Sequence, residues 1–551
     1  MFRAALVSVA AALLLGACAS TPRPMPVTDL PELEGSIVET RHRGDDDLLS
    51  AGLGLAGLRQ WPPPASAEPD ASELRRREIW NAWRGIADLR PETMADPLPA
   101  VPGREFRGRL RLAGDQHVHE VLLQLPDDFD SARPCLVVAP ASGSRGVYGA
   151  IAVAAPVALP RGCAVVYTDK GAGGDFSLLD DGYIRVPHAH SGDNAEARWG
   201  EHVLAATRFG LALLNDTGLP GRFDAGNTRV IAVGLSNGGG AVLQAAEIDT
   251  GGLLDAVIAA APNIQPEWTG MRPLYDYATQ AALYQPCLLA HPDWADKPFV
   301  TPELREQGRQ RCVMLRTAGL LDANTGSGQA LEARERLRAS GWNEDVLALA
   351  GMNIAFDLWR SVAVTYASAY GRFGPDAHPC GFRFATLDGQ GALRQPSASE
   401  QALWRSDGGG IPATAGVTIV DRSAAGEDPH LPGLMCLRGL WDGSGPDADR
   451  VRAGVEAVKV QAWPLPMPVT VLHGADDALI PPMFSSRPWV EAARARGADV
   501  RYRELPGVQH FDAFLQLPIM AGYQPLLPEV WSELERALQL PADTASSRRQ
   551  R

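Results

Sequence analysis

Five short apolar runs, separated by helical patterns, constrain the fold of this chain more than any other feature of its sequence. The runs are residues 119–126, 134–141, 162–169, 228–236 and 254–263. An Ala-rich segment separates the second run from the third, and a helical pattern at 195–216 separates the third from the fourth. Continuous apolar strands that alternate with helices are typical of a parallel sheet covered by helices on both faces. We therefore predict an α/β fold with a mostly parallel sheet.

The alternation stops after residue 263 and resumes after residue 462. Residues 264–462 contain helical stretches and polar loops but few strand-to-helix units. Strand-like patterns return at 467–482 and 499–511, and a helical pattern follows at 528–540. We predict one α/β core in two parts, 101–263 and 463–541, with a large, mainly helical, lid-like insertion at 264–462 and a polar tail at 542–551.

The first hundred residues follow neither pattern. Residues 1–17 carry Arg3 and an apolar run too short to span a bilayer comfortably, and Cys18 follows them directly. This arrangement resembles a bacterial lipoprotein signal peptide, in which Cys18 becomes acylated after cleavage. An ordinary secretory signal with a chance cysteine is the alternative. We interpret the Pro-rich residues 18–100 as a tether and a packed-on segment with one helix at 71–89.

The leader also predicts where the protein resides. Ala19 and Ser20, neither of them acidic, directly follow Cys18, which by resemblance to lipoprotein leaders favours the outer membrane. We expect an exported protein, either an outer-membrane or periplasmic lipoprotein held by a lipid anchor on Cys18, or a protein secreted to the extracellular space.

Six further cysteines remain after Cys18, and an even number in an exported chain permits disulfides. No two of them form a CxxC motif, which argues against a zinc site. Cys135 and Cys163 begin two similar apolar runs. If those strands are parallel neighbours in register, their α-carbons lie about 5 Å apart, which suits a disulfide. Buried free thiols are the alternative.

Charge and composition exclude some classes of protein. The chain has 45% hydrophobic and 21% charged residues, as soluble globular proteins do. Its net charge of −14 argues against a nucleic-acid partner. The sequence contains no P-loop, no GxGxxG after a first strand and no metal-ligand cluster, so we expect no cofactor and no metal. Oligomeric state is not determined by any of these features.

Residues 234–238 read Gly-Leu-Ser-Asn-Gly and match the GxSxG motif. In that motif the serine occupies a sharp, strained turn between a strand and a helix, with its hydroxyl exposed at the top of an α/β-hydrolase sheet. The motif alone is a weak signal, and a helix-capping serine in a Gly-rich turn is the alternative reading. Here an apolar strand precedes it and an apolar-faced helix follows it, as the motif requires. Ser236 is therefore our candidate nucleophile.

A serine hydroxyl needs a base to take its proton, and in α/β-hydrolases the acid and the histidine follow the serine in the chain. Asp477 follows a strand-like run in a D-x-x-I-P arrangement typical of these enzymes after their seventh strand. Asp476 is the competing acid. His510 follows a strand and a glycine turn, where the histidine loop is expected, whereas Asp512 lies too close to it in sequence to orient the ring easily.

This triad predicts acyl transfer, in which His510 takes the proton of Ser236 and Asp477 orients and stabilises the imidazole. The tetrahedral intermediate also needs donors for its oxyanion. The backbone N–H of Asn237 opens the helix after the nucleophile and is one candidate. Ser142 and Gly143, in the Gly/Ser loop after an early strand, are the best candidates for the second, unless that loop is a plain βα turn.

Four stretches together resemble the D-(-)-3-hydroxybutyrate oligomer hydrolases, which are exported bacterial serine esterases. They read PCLVVAPASGSRGVYGAI, GCAVVYTDKGAGGDF, HAHSGDN and GLSNGGGAVLQAAE. The similarity extends over roughly residues 100–540. It implies an α/β-hydrolase fold, a nucleophile at Ser236 and hydrolysis of short linear 3-hydroxybutyrate esters.

Such substrates end in a carboxylate, which a protein of this net charge repels at long range. A local cation should therefore line the site. Arg145, in the proposed oxyanion loop, and Lys170, after the third apolar run, are the candidates, and His188 and His190 could add hydrogen bonds. Ordinary surface positions are the alternative for each of the four.

The stretch between Ser236 and Asp477 is about twice as long as a minimal hydrolase needs. A lid inserted there would cover the ester and exclude water and long polymer chains. Two rival functions remain open. One is another α/β-hydrolase activity, a tannase-like aromatic esterase or a peptidase, and the other is a non-catalytic surface lipoprotein.

Overall fold

The computed structural model describes residues 31–539 except 63, 95–96, 174–175, 268–269, 407–415 and 464–466. The predicted leader 1–17, Cys18 and the polar tail 542–551 lie outside the described residues. The strands are β1 (Glu32–Leu33), β2 (Val38–His42), β3 (Gly103–Arg111), β4 (His119–Pro126), β5 (Cys135–Pro140), β6 (Ala164–Thr168), β7 (Ser177–Leu178), β8 (Ile184–Arg185), β9 (Arg229–Leu235), β10 (Ala256–Ala260), β11 (Phe382–Leu387), β12 (Leu393–Arg394), β13 (Thr418–Asp421), β14 (Val469–Gly474) and β15 (Val500–Leu505).

The α-helices are α1 (Gly54–Arg59), α2 (Ala71–Arg84), α3 (Ile151–Ala158), α4 (Trp199–Asp216), α5 (Asn237–Ile248), α6 (Leu274–Leu288), α7 (Pro302–Thr317), α8 (Gly326–Ala339), α9 (Glu344–Leu347), α10 (Ala350–Ala355), α11 (Leu358–Gly371), α12 (Ala398–Ser406), α13 (Leu431–Asp442), α14 (Pro446–Ala457), α15 (Ser486–Ala495) and α16 (Leu527–Gln539).

The central sheet has the strand order β1-β3-β4-β6-β5-β9-β10-β14-β15, and β2 also pairs with β3. From β6 to β15 all neighbours are parallel. β4 is antiparallel to both β3 and β6, so the first predicted apolar run lies next to the parallel part of the sheet and not in it. This order, with helices on both faces and a strand-turn-helix at the end of β9, is the α/β-hydrolase fold.

Each face of the sheet buries its own apolar cluster, which explains why the strands are apolar at every position. One cluster joins β-strand side chains such as Val230 and Ala232 to α4, α5 and α15. The other joins alternate side chains such as Ile231 and Val233 to α2, α3 and α16. The alternation of residues between the two clusters follows from the two-residue period of a strand.

The N-terminal segment is more integrated than a tether. β1 and β2 pair with β3, so residues before 43 extend the main sheet. α2 ends at Arg84, five residues before the end of the predicted 71–89 helix, and the chain turns at Gly85. Ile86 and Leu89 are nevertheless fully buried, because the chain beyond the turn still packs against the sheet. Apolar spacing alone therefore extended the predicted helix past its end.

Between β10 and β14 the chain forms a separate layer, which we call the cap and define as residues 270–462. It contains α6 to α14 and a small sheet of order β12-β11-β13. The cap has its own apolar cluster, which includes Tyr277, Trp342 and Trp359. Within the described ranges no single helix has the length and hydropathy of a membrane span, although the bent pair Glu344–Ala355 and Leu358–Gly371 passes that test when taken together.

Three disulfides connect the six cysteines. Cys135 and Cys163 are bonded, with their α-carbons 4.9 Å apart. They stand one residue before the paired positions Leu136 and Ala164 of β5 and β6, so the predicted pairing is confirmed for the predicted reason. The other two, Cys287–Cys312 and Cys380–Cys436, both lie in the cap.

Candidate active site

Ser236 occupies the single residue between β9, which ends at Leu235, and α5, which begins at Asn237. Its backbone has φ 60° and ψ −122°, a conformation that L-residues rarely adopt and that persists only where the surroundings hold it. The N–H of Ser236 donates to the Ala260 carbonyl at 2.9 Å, and its carbonyl accepts from the N–H groups of Gly240 and Asn263, each at 3.0 Å. Backbone hydrogen bonds on both sides therefore hold the strained turn.

The glycines around Ser236 are required by close backbone approach. A β-carbon on Gly234 would lie 2.1 Å from the Gly238 carbonyl oxygen, and one on Gly238 would lie 2.5 Å from the Pro140 carbonyl oxygen. Neither neighbour is a side chain that could move aside. The chain can therefore turn from strand to helix within one residue only because both positions lack a side chain.

His510 lies between Ser236 and Asp477. Its Nε2 is 2.9 Å from the Ser236 Oγ, and its Nδ1 is 2.6 Å from the Asp477 Oδ2. His510 and Asp477 are fully buried, and Ser236 is 5% exposed. A nucleophile in contact with a base, which a buried carboxylate orients in turn, is the arrangement that serine acyl transfer needs.

Asp477, and not Asp476, contacts the histidine. Its Oδ1 accepts from the N–H groups of Leu479 and Ile480 at 2.9 and 2.8 Å. Burial alone would raise the pKa of Asp477, but the neighbouring His510 and hydrogen bonds from His473 and His510 outweigh it and lower that pKa. Asp477 is therefore an anion at neutral pH. Asp512 is occupied elsewhere, since its carboxylate accepts from the N–H groups of Leu526 and Leu527.

The oxyanion donors predicted from sequence differ in their availability. The N–H of Asn237 opens α5 and has no acceptor within its own helix. The N–H of Ser142 is already used, because it donates to the Gly149 carbonyl at 3.2 Å; Ser142 is therefore corrected from donor to loop-stabilising residue. Gly143 N–H has no partner among the described residues, and Gly143 lines the same cavity as Ser236. Asn237 and Gly143 remain the oxyanion candidates.

A cavity of about 710 Å³ opens above Ser236. Its lining residues come from the core, the cap and the N-terminal segment. They are Trp61, Arg84, Gly85, Ser142, Gly143, Ser144, Arg145, Ser236, Asn237, Leu274, Ala355, Phe356, Asp357, Leu358, Ser361, Val362, Tyr366, Leu479, Ile480, Phe511, Ala513, Phe514, Gln516 and Leu517. Within the described ranges no three His, Cys, Asp or Glu side chains are arranged to hold a metal ion.

Of the four residues predicted to bind substrate, only Arg145 lines this cavity. Lys170 is fully buried behind the oxyanion loop, which we define as residues 141–150, and its ammonium donates to the Gly143 carbonyl at 2.6 Å. Burial lowers the pKa of Lys170 to about 7, although Asp169 and Glu196 act in the opposite direction. The predicted substrate contact of Lys170 is therefore corrected to a contact with the loop itself.

The two histidines are also placed behind the cavity wall. His188 Nδ1 lies 2.6 Å from the Ser144 hydroxyl, and its ring packs edge-on against Tyr366. His190 Nδ1 accepts from the N–H of Val186 at 3.0 Å. Burial lowers the pKa of each to about 3, so both are neutral at physiological pH. Neither reaches the cavity, because the loop that carries them packs between the core and the cap.

Sequence reasoning missed the N-terminal and cap residues of the cavity wall. Trp61 and Arg84 belong to the segment that we expected to be a tether and a packed-on helix, and Phe356, Leu358 and Tyr366 belong to the cap. Tyr366 also accepts a hydrogen bond from the Asn237 side-chain amide at 3.1 Å. The helical spacing of Ile79, Trp80 and Trp83 indicated a helix packed onto the core, but no motif in this segment pointed to a ligand.

A family model described as 3HB-oligomer hydrolase matches residues 14–187 and 181–544 of the chain. A D-(-)-3-hydroxybutyrate oligomer hydrolase of Paracidovorax citrulli (strain AAC00-1) is 35% identical, over 90% of this chain and 84% of that protein. A protein of the same name from Burkholderia pseudomallei (strain 668) is 33% identical, over 96% of this chain and 88% of its own length.

Similar solved structures include an esterase from Aspergillus oryzae and Candida antarctica lipase A. The esterase has a TM-score of 0.37 and 11% identity, over 74% of this chain and 73% of its own. The lipase has a TM-score of 0.34 and 13% identity, over 79% of this chain and 86% of its own.

Proposed function

The chain belongs to the 3HB-oligomer hydrolase family, and from this premise we propose that it is an exported serine esterase that hydrolyses short 3-hydroxybutyrate oligomers through an acyl-enzyme on Ser236. One observation carries the proposal: Ser236, His510 and Asp477 are in hydrogen-bond contact at the base of a cavity. The family supplies the ester-hydrolase activity and the acyl group, and the geometry supplies the residues.

In the acylation step, His510 Nε2 takes the hydroxyl proton of Ser236 as the Oγ attacks the ester carbonyl carbon. The carbonyl oxygen becomes an oxyanion, which the N–H groups of Asn237 and Gly143 stabilise. When the carbonyl re-forms, the bond to the alkoxy oxygen breaks. His510 then gives its proton to that oxygen, and one hydroxyacid leaves as an alcohol.

In the deacylation step, His510 takes a proton from water, and the hydroxide formed attacks the acyl carbon. The bond to the Ser236 Oγ breaks, and the proton returns to Ser236. Asp477 remains ionised throughout and stabilises the charged imidazole. The second product is the acid of the acyl part, so each cycle consumes one ester bond and one water.

The cavity favours short substrates over polymer. Its volume of about 710 Å³ lies in the range of pockets that enclose a single small molecule. The cap, the N-terminal segment and loops of the core enclose it above a nucleophile that is only 5% exposed. A soluble dimer or trimer fits such a space, whereas a chain packed in a solid surface would have to leave that surface first.

Substrate trials and mass spectrometry test this function together. We expect rapid hydrolysis of hydroxybutyrate dimer and trimer, slow erosion of polymer films, and, after rapid quenching of the dimer reaction, a mass increase of one acyl unit on the peptide that contains Ser236. Faster hydrolysis of gallate esters or peptides would support the rival hydrolase activities. Failure of a fluorophosphonate probe to label Ser236 would support a non-catalytic protein.

Three disulfides support the exported location, because disulfides persist in oxidising compartments outside the cytoplasm. We propose that residues 1–17 direct export and that Cys18 carries the anchor. Fractionation of cells tests this: the wild-type protein should partition with membranes, and Cys18→Ser should prevent normal maturation. Recovery of the intact, unlipidated wild-type enzyme from the soluble fraction would contradict the anchor.

A further inference from the structure

Arg145 lines the cavity, and its guanidinium has one donor without a partner. The residue is 5% exposed and belongs to the oxyanion loop, two positions after Gly143. Its Nη2 donates to the Gly85 carbonyl at 3.2 Å, whereas its Nη1 is buried without a hydrogen-bond partner. In the part of the chain that the structure describes, no carboxylate forms an ion pair with Arg145. A buried charge without a counter-ion is costly, unless a ligand supplies the counter-ion.

The remaining charges of the cavity do not compensate for Arg145. Asp357 is the one carboxylate among the described lining residues, and it is paired with Arg360, their closest atoms being 2.5 Å apart. Arg84, the other lining cation, donates to the carbonyls of Leu58 and Arg59 and stacks on Trp61. The cavity is therefore locally positive in a chain whose net charge is −14, and among its described lining residues Arg145 alone has a buried side-chain donor without a partner.

We propose that Arg145 forms a carboxylate subsite that holds the free carboxylate of the substrate's terminal unit; this inference rests on the proposed oligomer hydrolysis. The unit that carries that carboxylate is joined to the rest of the oligomer through its own hydroxyl oxygen. When Ser236 attacks the adjacent ester carbonyl, this unit is the leaving group. It takes the proton from His510 and departs as free 3-hydroxybutyrate, and the rest of the oligomer stays on Ser236 until water releases it. The enzyme therefore shortens oligomers one unit at a time from the carboxyl end.

Gly85 makes room for this guanidinium. A β-carbon at position 85 would lie 2.5 Å from both terminal nitrogens of Arg145 and 2.8 Å from its Cζ. The backbone of Gly85 has φ −80° and ψ −8°, which any L-residue adopts without strain. A methyl group here would therefore displace the far end of one flexible side chain and leave the turn intact. The carbonyl that Arg145 contacts also lies at the carboxyl end of α2, where the helix dipole favours a cation.

The test compares the hydroxybutyrate dimer as a free acid with its methyl ester, in the wild type, Arg145→Gln and Gly85→Ala. We expect Arg145→Gln to raise KM for the free acid by about 10–100-fold, with kcat nearly unchanged, because a hydrogen bond to a charged group is lost. KM for the methyl ester should change by less than about threefold, since this substrate lacks the negative charge. Gly85→Ala should also raise KM for the free acid, by a smaller factor, and should again change KM for the methyl ester little. Equal effects on acid and ester would overturn the subsite.

Two further measurements separate the possible failures. If Arg145→Gln lowers melting temperature and also slows p-nitrophenyl butyrate hydrolysis, Gly85→Ala alone decides the question, and the same acid-against-ester criterion applies to it. 3-Acetoxypropionate and its methyl ester test the subsite on esters that contain no hydroxybutyrate and carry the carboxylate on the leaving group. A wild-type enzyme that ignores the hydroxybutyrate dimer but prefers 3-acetoxypropionate to its methyl ester, with that preference lost in Arg145→Gln, would refute the proposed function and retain the subsite. Absence of both preferences would overturn the subsite.

Discussion

The base and the walls of the cavity are built by different parts of the chain. We call Ser236, Asp477 and His510 the base, and they follow β9, β14 and β15, which end at the same edge of one parallel sheet. By the walls we mean the cavity residues of the N-terminal segment and the cap, which lie outside the parallel strands, and loops of the core complete the lining. Strand order and turn geometry position the base, whereas the walls depend on how separate segments pack. We therefore expect changes in the base to abolish chemistry and changes in the walls to alter which esters are accepted.

The largest expected effect is at the nucleophile. Ser236→Ala should lower kcat by roughly 10⁴–10⁶-fold, because the three residues act as a unit. His510→Ala should have an effect of similar size on the same esters. The melting temperature of Ser236→Ala should match that of the wild type, since His510 is the only hydrogen-bond partner of the Ser236 Oγ among the described residues. Substantial residual turnover in Ser236→Ala would mean that another group performs the attack.

Asp477, the acid of the catalytic triad, gives the next largest expected effect, and the neighbouring Asp476 provides a matched control. Asp477→Asn should lower kcat by about 10⁴-fold, because an amide no longer stabilises the charged His510. Asp476→Asn should change kcat by less than about tenfold, since its carboxylate does not contact His510 in the structure. Both variants are measured with the same p-nitrophenyl ester. A larger loss in Asp476→Asn would reverse the assignment of the acid.

Lys170 belongs neither to the base nor to the walls. Its ammonium donates a hydrogen bond to the Gly143 carbonyl and so supports the oxyanion loop. Lys170→Met should lower kcat by about 10–100-fold and leave KM nearly unchanged, because a displaced oxyanion loop weakens only the transition state. Lys170→Gln retains a donor and should recover part of kcat. An equal loss of kcat in both variants, with a lower melting temperature, would mean that Lys170 contributes to folding and not to the position of the loop.

The smallest expected effect is at the outer wall. Trp61 is 80% exposed, yet it lines the cavity and stacks on Arg84 with 5.2 Å between the guanidinium carbon and the ring centroid. Trp61→Ala should raise KM for the hydroxybutyrate trimer by about threefold, which corresponds to the loss of one aromatic contact. Hydrolysis of p-nitrophenyl acetate, which is too small to reach the wall, should not change. A fall in kcat for both substrates would mean that Trp61 affects the chemical step and not only which esters are accepted.

Much of the fold follows from local pattern. The apolar runs became strands, and the in-register cysteines Cys135 and Cys163 are bonded, because a parallel pair sets its neighbours at a fixed spacing. The predicted helix at 71–89 was too long, because apolar spacing continues past the turn at Gly85. Lys170, His188 and His190 could not be placed from sequence, since a residue just after a strand can lie on either side of the following loop.

The sequence by itself determined the order of nucleophile, acid and base and the strand-turn-helix that carries Ser236. These properties depend on residues that are neighbours in the chain, where period and glycine spacing directly constrain the backbone. Only the tertiary structure decided that Asp477 and not Asp476 meets His510, that Ser142 has already used its N–H, and that Gly85 accommodates Arg145. Those outcomes depend on contacts between residues far apart in the chain, which packing brings together and which no local pattern records.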